Sequence, residues 1–430
     1  MPVEIEPRPA TAGRRAPHRG PSAGPLVIGL VNIMPDAALH STEAQFGGLL
    51  QAASGGEAVR LRLTSLPELP RSPAALEHIR LSYWPLEDVL TEGVDALIVT
   101  GTEPRAPALR DEPYWQRFVQ LLDFAREHTA SSIWSCLAAH AAVLELDGIE
   151  RRRLPEKRCG VYPHDTLTGH SLLAGVRAPL PMPHSRWNEL PPENLRAAGY
   201  TLLSWSEENG ADAFVREERS VLLFFQGHPE YEGTTLLKEY RRDVGRYLNG
   251  QQSHYPTLPR GYLSADATAR LAEFREKAHA QRSATPLESF PFAMVAAGLE
   301  STWRSSAVAL YRNWLSCISA RRRHAPETPA DGYDLRTSNR ATSASTLATE
   351  RKLSGVISPC GMVRSNSVST ASIRFTILME LMPSSLRRAS VGSEEAASAG
   401  LPRICPTRCS SRSRIEECAV EPAGPSLISG

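Results

Sequence analysis

The stretch that decides the fold is Ser131-Ser-Ile-Trp-Ser-Cys-Leu-Ala-Ala-His-Ala-Ala-Val-Leu144, in which a short apolar run breaks at Cys136 and continues as small residues. This pattern predicts a buried strand followed directly by a helix, with Cys136 on the sharp turn between them. A sulfur at a helix N-terminus is stabilised as the thiolate, and the N–H group of the next residue, Leu137, is free to bind an oxyanion. A buried structural cysteine would give the same local pattern, so both interpretations stay open at this point.

The composition limits the classes to which the protein can belong. The chain has 430 residues, of which 41% are hydrophobic, enough for a sizeable core. Its net charge of +1 offers no electrostatic basis for binding nucleic acid or an anionic membrane surface. No apolar run reaches the ~18 residues of a membrane-spanning helix. The cysteines form no zinc-ligand pattern, so we expect no metal site and a reduced, cytoplasmic protein.

The chain divides into three parts by composition. Residues 1–24 are rich in Pro, Arg, Gly and Ala and predict a disordered leader, whereas residues 25–320 predict one folded domain. Residues 321–430 are rich in Ser, Arg, Thr and Pro, without sustained periodicity outside 373–382. We expect this last part to be a disordered extension without a catalytic role, such as the product of an altered reading frame or gene end. A small functional appendage is the alternative.

Strand and helix patterns alternate through the first half of the folded domain. Apolar runs occupy residues 25–34, 60–66, 94–101 and 131–135, and amphipathic helical patterns occupy residues 43–53 and 114–128. This alternation predicts an α/β fold with a mostly parallel sheet flanked by helices, a flavodoxin-like three-layer arrangement. Sites of such sheets lie at the carboxyl ends of the strands. We therefore expect Asn32, Gly101 and Cys136 to converge.

A second informative stretch is Gln226-Gly-His-Pro-Glu-Tyr231, which follows the apolar run 221–225. Gly227 permits a tight turn and Pro229 fixes the direction of the chain, so His228 and Glu230 can leave the same strand end. Glu230 can then orient the imidazole and stabilise it when His228 accepts a proton. A turn in which both side chains are merely solvated is the alternative, and a cysteine at another end of the same sheet favours the functional interpretation.

Taken together, these motifs resemble the homoserine O-acyltransferase family of methionine biosynthesis, often named homoserine O-succinyltransferase, whose fold is class I glutamine amidotransferase-like. The resemblance covers about residues 25–318. The matching segments are Val31-Asn-Ile-Met-Pro35, Thr42-Glu-Ala-Gln-Phe46, Leu97-Ile-Val-Thr-Gly101, Tyr114-Trp115, Ser135-Cys136, Glu156-Lys157, Gly160-Val-Tyr162, Pro183-His-Ser-Arg186, Gly227-His-Pro-Glu-Tyr231, Arg241-Arg-Asp-Val244, Trp303 and Asn313-Trp-Leu315.

The resemblance implies an acyl-CoA-dependent acyltransferase that works by a ping-pong transfer. Cys136 would attack the thioester of an acyl-CoA, with the oxyanion held by N–H groups near Leu137 and the Gly101-Thr102 turn. His228, oriented by Glu230, would then deprotonate the hydroxyl of L-homoserine for attack on the acyl-cysteine. Acyl-CoA enters as a substrate, and no metal or cofactor is implied.

The resemblance also implies substrate-binding roles for Lys157, Ser185 and Arg242. A forked guanidinium at position 242 suits bidentate recognition of the homoserine carboxylate. Without the resemblance each residue has a plainer interpretation. Lys157 would belong to a charged turn at 151–158, Ser185 would be a turn hydroxyl, and Arg242 would be a surface charge on a helix.

The loop after Gly101 differs from the family pattern at a position that, by the resemblance, influences which acyl donor is used. The aligned position is Arg105, whose guanidinium could pair with the distal carboxylate of a succinyl group, point to solvent or contact CoA phosphates. The segment Asp36-Ala-Ala38 lacks the basic residue that the family often has after its Met-Pro pair. The sequence thus favours succinyl weakly and leaves acetyl open. L-Serine also stays open as the acceptor, because pockets discriminate one methylene by only ~1–3 kcal/mol.

Two other classes of function remain as alternatives. A glutaminase-type amidotransferase would use the same Cys136, His228 and Glu230, but its elbow resembles Gly-x-Cys-x-Gly, and here Trp134 and Ala138 take the flanking positions. A scaffold protein that keeps the fold without catalysis is the third class. The sequence does not settle the oligomeric state, and a homodimer is left open.

Overall fold

Strands and helices alternate along most of the protein. The computed structural model describes residues 3–8 and 24–324. Within these residues the strands are β1 (Val3–Ile5), β2 (Leu26–Val31), β3 (Val59–Thr64), β4 (Ala96–Val99), β5 (Ser131–Ser135), β6 (Arg152–Thr166), β7 (Leu180–Glu189), β8 (Thr201–Leu202), β9 (Ser204–Ser206), β10 (Gly210–Ala211), β11 (Ala213–Glu217) and β12 (Val221–Phe225). The helices are α1 (Leu39–Ala53), α2 (Pro73–Ser82), α3 (Leu86–Glu92), α4 (Trp115–His128), α5 (Leu137–Asp147), α6 (Pro192–Ala197), α7 (Thr235–Leu248), α8 (Ala265–Ala280), α9 (Phe292–Ala296) and α10 (Arg304–His324).

The main sheet of the described residues has the strand order β1-β3-β2-β4-β5-β12-β11-β8. All neighbours from β1 to β12 are parallel, whereas β11 and β8 are antiparallel additions at one side. The predicted parallel sheet is confirmed for the strands around Cys136. Because parallel strands end at one edge of a sheet, the residues that follow β2, β4, β5 and β12 meet there.

Both faces of the main sheet are covered by helices. On β12, Leu222 and Phe224 belong to a core shared with α3, α4 and α5, whereas Leu223 and Phe225 belong to a core shared with α1, α7 and α10. Each such fully buried side chain contributes about 1.5–3 kcal/mol relative to an exposed one. The predicted three-layer α/β fold is confirmed. Among the helices that the structure describes, none is both long and apolar enough to cross a bilayer.

A second sheet, which the sequence patterns did not predict, has the order β10-β9-β6-β7 among the described strands. Strands β6 and β7 are antiparallel, and Cys159 pairs with Ser185. Since β6 begins at Arg152, the interpretation of residues 151–158 as a charged turn is wrong. The first half of β6 is mostly exposed, so its charged residues hide the strand pattern.

The chain between α7 and α8 is attached to the second sheet at Gly160. Arg260 donates its N–H to the carbonyl oxygen of Cys159 at 3.0 Å and accepts from the N–H of Val161 at 2.7 Å. Gly160 has a φ of +145°, and a Cβ there would lie 2.2 Å from the Arg260 oxygen. Only glycine fits this close approach of two backbones.

The ends of the folded part differ from the predicted boundaries. Strand β1 pairs in parallel with β3, and Glu6 Oε2 accepts from Arg62 Nε at 2.8 Å, so the prediction of a disordered leader is wrong for residues 3–8. A three-residue edge strand is too short to leave a periodic signal. Helix α10 continues to His324, past the predicted boundary at 320. The rest of the predicted leader and extension, residues 9–23 and 325–430, lies outside the described residues.

Candidate active site

Cys136 lies on a strained turn between β5 and α5. Among the described residues it is the one non-glycine residue with a positive φ, at φ 54° and ψ −114°. Such a backbone costs about 1–3 kcal/mol and persists only when its surroundings hold it. Here the Cys136 N–H donates to the carbonyl oxygen of Phe225 at 2.7 Å, which ties the turn to the end of β12. The side chain stays partly exposed, as a nucleophile on such a turn requires.

Backbone N–H groups suited to an oxyanion lie beside Cys136. Leu137 is the first residue of α5, so its N–H has no acceptor within the helix. Gly101 packs against this group, because a Cβ on Gly101 would lie 2.9 Å from Leu137 N and 3.3 Å from the oxygen of Ser135. The structure thus brings together Leu137 and the turn formed by Gly101 and Thr102, and it leaves no room for a side chain at position 101.

His228 and Glu230 follow β12 and face each other. His228 Nδ1 lies 2.8 Å from Glu230 Oε1, and both side chains are buried. With Nδ1 engaged by the carboxylate, Nε2 is the ring nitrogen available to another partner. Cys136 is the second group close enough to the His228 side chain to raise its pKa. The three predicted catalytic residues therefore form one connected Cys–His–Glu group.

The neighbours of His228 decide its charge. Burial by itself lowers the pKa of His228, but the negative charges of Glu230 and of a Cys136 thiolate, with hydrogen bonds to both, raise that pKa well above its ordinary value. The contact with Glu230 thus favours the imidazolium form of His228 next to the Cys136 side chain. An imidazolium beside a cysteine is the arrangement typical of a nucleophilic cysteine.

Tyr231 fixes the plane of the His228 ring. The two rings are stacked with centroids 4.2 Å apart and an interplanar angle of 15°. The Tyr231 hydroxyl donates to Glu239 Oε1 at 2.6 Å, and its carbonyl oxygen accepts from Trp303 Nε1 at 2.9 Å. Burial, then the charges of Glu239 and Glu230, raise the pKa of Tyr231 well above its ordinary value, so the phenol is a neutral donor. The sequence motif contained Tyr231 but assigned it no role.

Buried groups hold the turn that precedes His228. Asp212 Oδ1 accepts from the N–H of Gly227 at 3.0 Å, and the N–H of His228 donates to the carbonyl oxygen of Pro183 at 2.8 Å. A Cβ on Gly227 would lie 2.5 Å from Met182 Cγ and 2.7 Å from Asp212 Oδ1. The turn therefore needs glycine, and the fully buried Asp212 holds its backbone by this hydrogen bond.

Lys157, Ser185 and Arg242 come from β6, β7 and α7 and meet at two carboxylates of α7. Lys157 Nζ lies 2.6 Å from Asp243 Oδ2, and Arg242 Nη2 lies 3.1 Å from Asp243 Oδ1. Ser185 Oγ donates to Glu239 Oε2. The structure thus brings the three predicted substrate-binding residues together, and we call these five residues the α7 cluster.

The α7 cluster adjoins the Cys–His–Glu group through Tyr231, which stacks on His228 and donates to Glu239. Sequence reasoning missed Glu239 and Asp243. Their spacing of four residues puts both on one face of α7 and was an available signal. Acidic residues at this spacing are common on helix surfaces, however, and only the packing of β6 and β7 against α7 distinguishes this pair.

The loop that follows β4 keeps Arg105 at the surface. The N–H groups of Arg105 and Ala106 donate to Glu112 Oε1 at 2.6 and 2.8 Å, and Glu112 is buried. The Arg105 side chain is exposed, and no carboxylate of the described residues forms an ion pair with it. Arg246 Nη2, 3.2 Å from Glu103 Oε2, links the loop to α7. The structure does not bring Arg105 into the α7 cluster, and no sequence signal marked Glu112.

A group of potential metal ligands lies elsewhere in the described part of the chain. It consists of His40, Glu43 and His78, on α1 and α2. The group shares no residue with the Cys–His–Glu group, whose arrangement suits nucleophilic and acid–base chemistry.

Comparisons with known proteins agree on one family. The family model described as homoserine O-succinyltransferase matches residues 12–324. The homoserine O-succinyltransferase of Rhodopseudomonas palustris is 46% identical over 306 residues, which cover 71% of this chain and 92% of the relative. That of Bradyrhizobium japonicum is 44% identical over 312 residues, which cover 72% of this chain and 94% of the relative.

Solved structures similar to this chain include a glutamine amido transferase from Methylobacillus flagellatus, with 17% identity, a TM-score of 0.40 and coverage of 73% of this chain and 100% of that one. A glutamine amidotransferase from Thermotoga maritima has 10% identity, a TM-score of 0.37 and coverage of 69% and 99%. The family match covers most of the described residues, including every residue of the Cys–His–Glu group and the α7 cluster. The chain belongs to the homoserine O-succinyltransferase family.

Proposed function

We propose that the protein is a homoserine O-succinyltransferase that carries the succinyl group of succinyl-CoA on Cys136 before transferring it to L-homoserine. The observation that supports this most is the Cys136–His228–Glu230 group at the ends of β5 and β12, in a chain whose relatives are named for this reaction. The proposal places the reaction in the cytoplasm. It treats acyl-CoA as a substrate and includes no metal or bound cofactor.

In the first half-reaction the Cys136 thiolate attacks the thioester carbonyl of succinyl-CoA. A new C–S bond forms to Cys136, and the oxyanion lies against the N–H groups of Leu137 and the turn at Gly101. The C–S bond to CoA then breaks, and the His228 imidazolium gives its proton to the departing CoA sulfur. One thioester replaces another, so the step is nearly isoenergetic.

Acylation prepares His228 for the second half-reaction. The thioester of Cys136 carries no charge, so one of the two negative neighbours that raise the pKa of His228 is gone. The pKa of His228 is therefore lower in the acyl-enzyme. Once it has given up its proton, the imidazole stays neutral and can act as a base. It takes the proton of the homoserine γ-hydroxyl as the oxygen attacks the acyl carbon and the bond to Cys136 breaks. Glu230 stabilises the imidazolium that forms, and the ion pair is restored.

The α7 cluster supplies the charges that an amino acid requires. Homoserine carries a carboxylate and an ammonium group a short distance apart. Arg242, whose side chain is 49% exposed, can turn from Asp243 towards an entering carboxylate, with Lys157 beside it. Glu239 already accepts hydrogen bonds from Tyr231 and Ser185 and suits the ammonium group. The stacking of Tyr231 on His228 connects this recognition with the base.

Succinyl is proposed as the acyl group because the relatives are named homoserine O-succinyltransferases. Arg105 remains a proposed contact for the distal carboxylate or for CoA, since its exposed guanidinium is free to turn. Glu112 holds the backbone of this loop and thereby its distance from the turn at Gly101. L-Homoserine is proposed as the acceptor in place of L-serine for the same reason, because the relatives are named for homoserine.

The experiment mixes the full chain with succinyl-CoA or acetyl-CoA and measures the intact protein mass before and after adding homoserine or serine. We expect the mass gain of one succinyl group, its loss when homoserine is added, and the appearance of O-succinylhomoserine. The variant Cys136→Ala should gain no mass, and Cys317→Ala, which removes another free and partly exposed thiol, should behave as the wild type.

Other outcomes would overturn the proposal in distinct ways. An adduct with acetyl-CoA alone would replace succinyl by acetyl, and loss of the adduct with serine alone would replace the acceptor. No adduct with either thioester would reject the acyl-enzyme. Ammonia release from glutamine that depends on Cys136 would favour a glutaminase instead.

A further inference from the structure

Three potential metal ligands that belong neither to the Cys–His–Glu group nor to the α7 cluster converge from two helices. His40 and Glu43 are three residues apart on α1, and His78 lies on α2. The ligand atoms of the three side chains all lie within 4.8 Å of one another. Two imidazole nitrogens and a carboxylate oxygen form a common ligand set for divalent transition metals.

The carboxylate of Glu43 is oriented by a buried neighbour. Glu43 Oε1 lies 2.8 Å from His78 Nε2 and accepts from the hydroxyl of Tyr83 at 2.7 Å. Tyr83 is fully buried and itself accepts from Asn32 Nδ2 at 2.9 Å. The other carboxylate oxygen, Glu43 Oε2, lies 3.8 Å from Nδ1 of His40. Outer hydrogen bonds of this kind orient carboxylate ligands and are typical of metal sites.

The two imidazole rings of this group are in contact. Their ring centroids are 4.0 Å apart, at an interplanar angle of 47°. Since the ligand atoms of both rings and of Glu43 lie within 4.8 Å of one another, the arrangement suits one shared cation.

We propose that His40, Glu43 and His78 bind one divalent zinc-like ion. Imidazole ligands favour zinc or a similar transition metal over magnesium or calcium, which take oxygen ligands. Three protein ligands leave one coordination position of a tetrahedral zinc ion for water. The direct contact between His78 and Glu43 would be replaced by bonds to the ion, and the His40 side chain, which is 75% exposed, is free to rotate towards it.

Such an ion would join α1 to α2 and stabilise the folded state without taking part in the transfer reaction. Helix α1 is also attached to α7, where Gln45 Nε2 donates to Thr235 Oγ1 at 2.9 Å. Helix α2 lacks comparable burial, with Ala75 as its buried residue. An ion that joins α2 to α1 would therefore stabilise the less firmly packed helix, α2. A ligand that binds only the folded state raises the melting temperature of the protein. The inference does not depend on the proposed function.

The test titrates the full chain with Zn²⁺ alone by calorimetry and by thermal unfolding. We expect the stoichiometry to fall by one site and the zinc-dependent rise in melting temperature to disappear in both His40→Ala and His78→Ala. Loss of a direct ligand should lower affinity by more than the ~10–100-fold typical of an outer partner. Two controls, Cys136→Ala and the exposed-histidine variant His254→Ala, should retain the site. Absorption of bound Co²⁺ gives a second readout.

The result that would overturn the proposal is equal zinc stoichiometry, equal stabilisation and equal Co²⁺ absorption in the wild type and both histidine variants. Failure of the wild type to bind Zn²⁺ would overturn it as well. Loss of binding in Cys136→Ala but not in His40→Ala would assign the ion to the Cys–His–Glu group instead. Because His40 is exposed, His40→Ala keeps the test decisive even if His78→Ala does not fold.

Discussion

The Cys–His–Glu group and the α7 cluster adjoin each other but have different structural origins. Cys136 and His228 follow two adjacent parallel strands, and Glu230 is only two residues from His228. In the α7 cluster, Lys157 and Asp243 are 86 residues apart and come from the second sheet and a helix. The strand ends of the main sheet therefore place the proposed bond-making group, with Pro183 of β7 accepting from the His228 N–H. The proposed acceptor site exists only because the second sheet packs against α7.

Exposure distinguishes Arg242 from the His228–Glu230 pair. His228 and Glu230 are 9% and 6% exposed, whereas Arg242 is 49% exposed, in a cluster whose Lys157 and Asp243 are only 14% and 7% exposed. Buried charges depend on their partners for stabilisation, and water screens exposed ones. Substitutions in the Cys–His–Glu group should therefore abolish chemistry, and substitution of Arg242 should weaken acceptor binding while leaving acyl-enzyme formation intact.

The largest effect is expected for Cys136→Ala. Loss of the nucleophile should lower kcat by at least ~10⁴-fold, because His228 and Glu230 contribute only when Cys136 forms the acyl-enzyme. The measurement is homoserine-dependent release of the CoA thiol from succinyl-CoA. Cys317→Ala is the matched control and should keep wild-type turnover. Substantial turnover by Cys136→Ala would mean that homoserine attacks succinyl-CoA directly.

The next effect is expected for Glu230→Gln, which keeps the size of the side chain but removes its charge. We expect kcat to fall by ~10²–10⁴-fold, the usual range for a disabled acid–base group. Glu230 raises the pKa of His228, so the basic limb of acyl-enzyme formation, where the imidazolium loses its proton, should move to lower pH. An unchanged basic limb would show that His228 is not the acid.

The same substitution should change the pH dependence of stability. The folded-state pKa of His228 is above that of an unfolded histidine, so the charged His228 contributes stability that is fully present below about pH 6.5. That contribution is lost as pH rises through the raised pKa. In Glu230→Gln the folded-state pKa is lower, so the loss should still begin near pH 6.5 but be smaller and end at a lower pH, as followed by urea unfolding from neutral to alkaline pH.

A smaller effect is expected for Gly101→Ala. The added Cβ would lie 2.9 Å from Leu137 N and crowd the proposed oxyanion position. We expect kcat to fall by about 10²-fold, the effect of losing one oxyanion donor. Gly47→Ala, where a Cβ meets no atom within 4 Å, is the control. A fall in homoserine affinity without a fall in kcat would place the effect in the α7 cluster instead.

The smallest effect is expected for Arg242→Ala. Loss of a hydrogen bond to a charged group costs about 1.5–3 kcal/mol, so KM for homoserine should rise by ~10–100-fold. The rate of acyl-enzyme formation from succinyl-CoA should stay unchanged. Lys238→Ala, which removes an exposed lysine from the same helix, should alter neither value. A slower acylation step in Arg242→Ala would show that the two regions are not separable.

The sequence predicted the parts of the site that strand ends place together. Cys136 was marked by the change from an apolar run to small residues, and His228 and Glu230 by a glycine–proline turn after an apolar run. The sequence did not predict β6, because the first residues of this strand are charged and mostly exposed and show no strand alternation. It also missed Glu112 and Glu239, because a carboxylate on a loop or helix acquires meaning only from the groups that pack on it.

What the sequence by itself determined is the parallel sheet, the turn at Cys136 and the His228–Glu230 pair, because these follow from local periodicity and from the rule that parallel strands end at one edge. Only the tertiary structure decided that Lys157, Ser185 and Arg242 meet at Glu239 and Asp243, and that His78 reaches His40 and Glu43. Those contacts join segments far apart in the chain, and packing between elements places them.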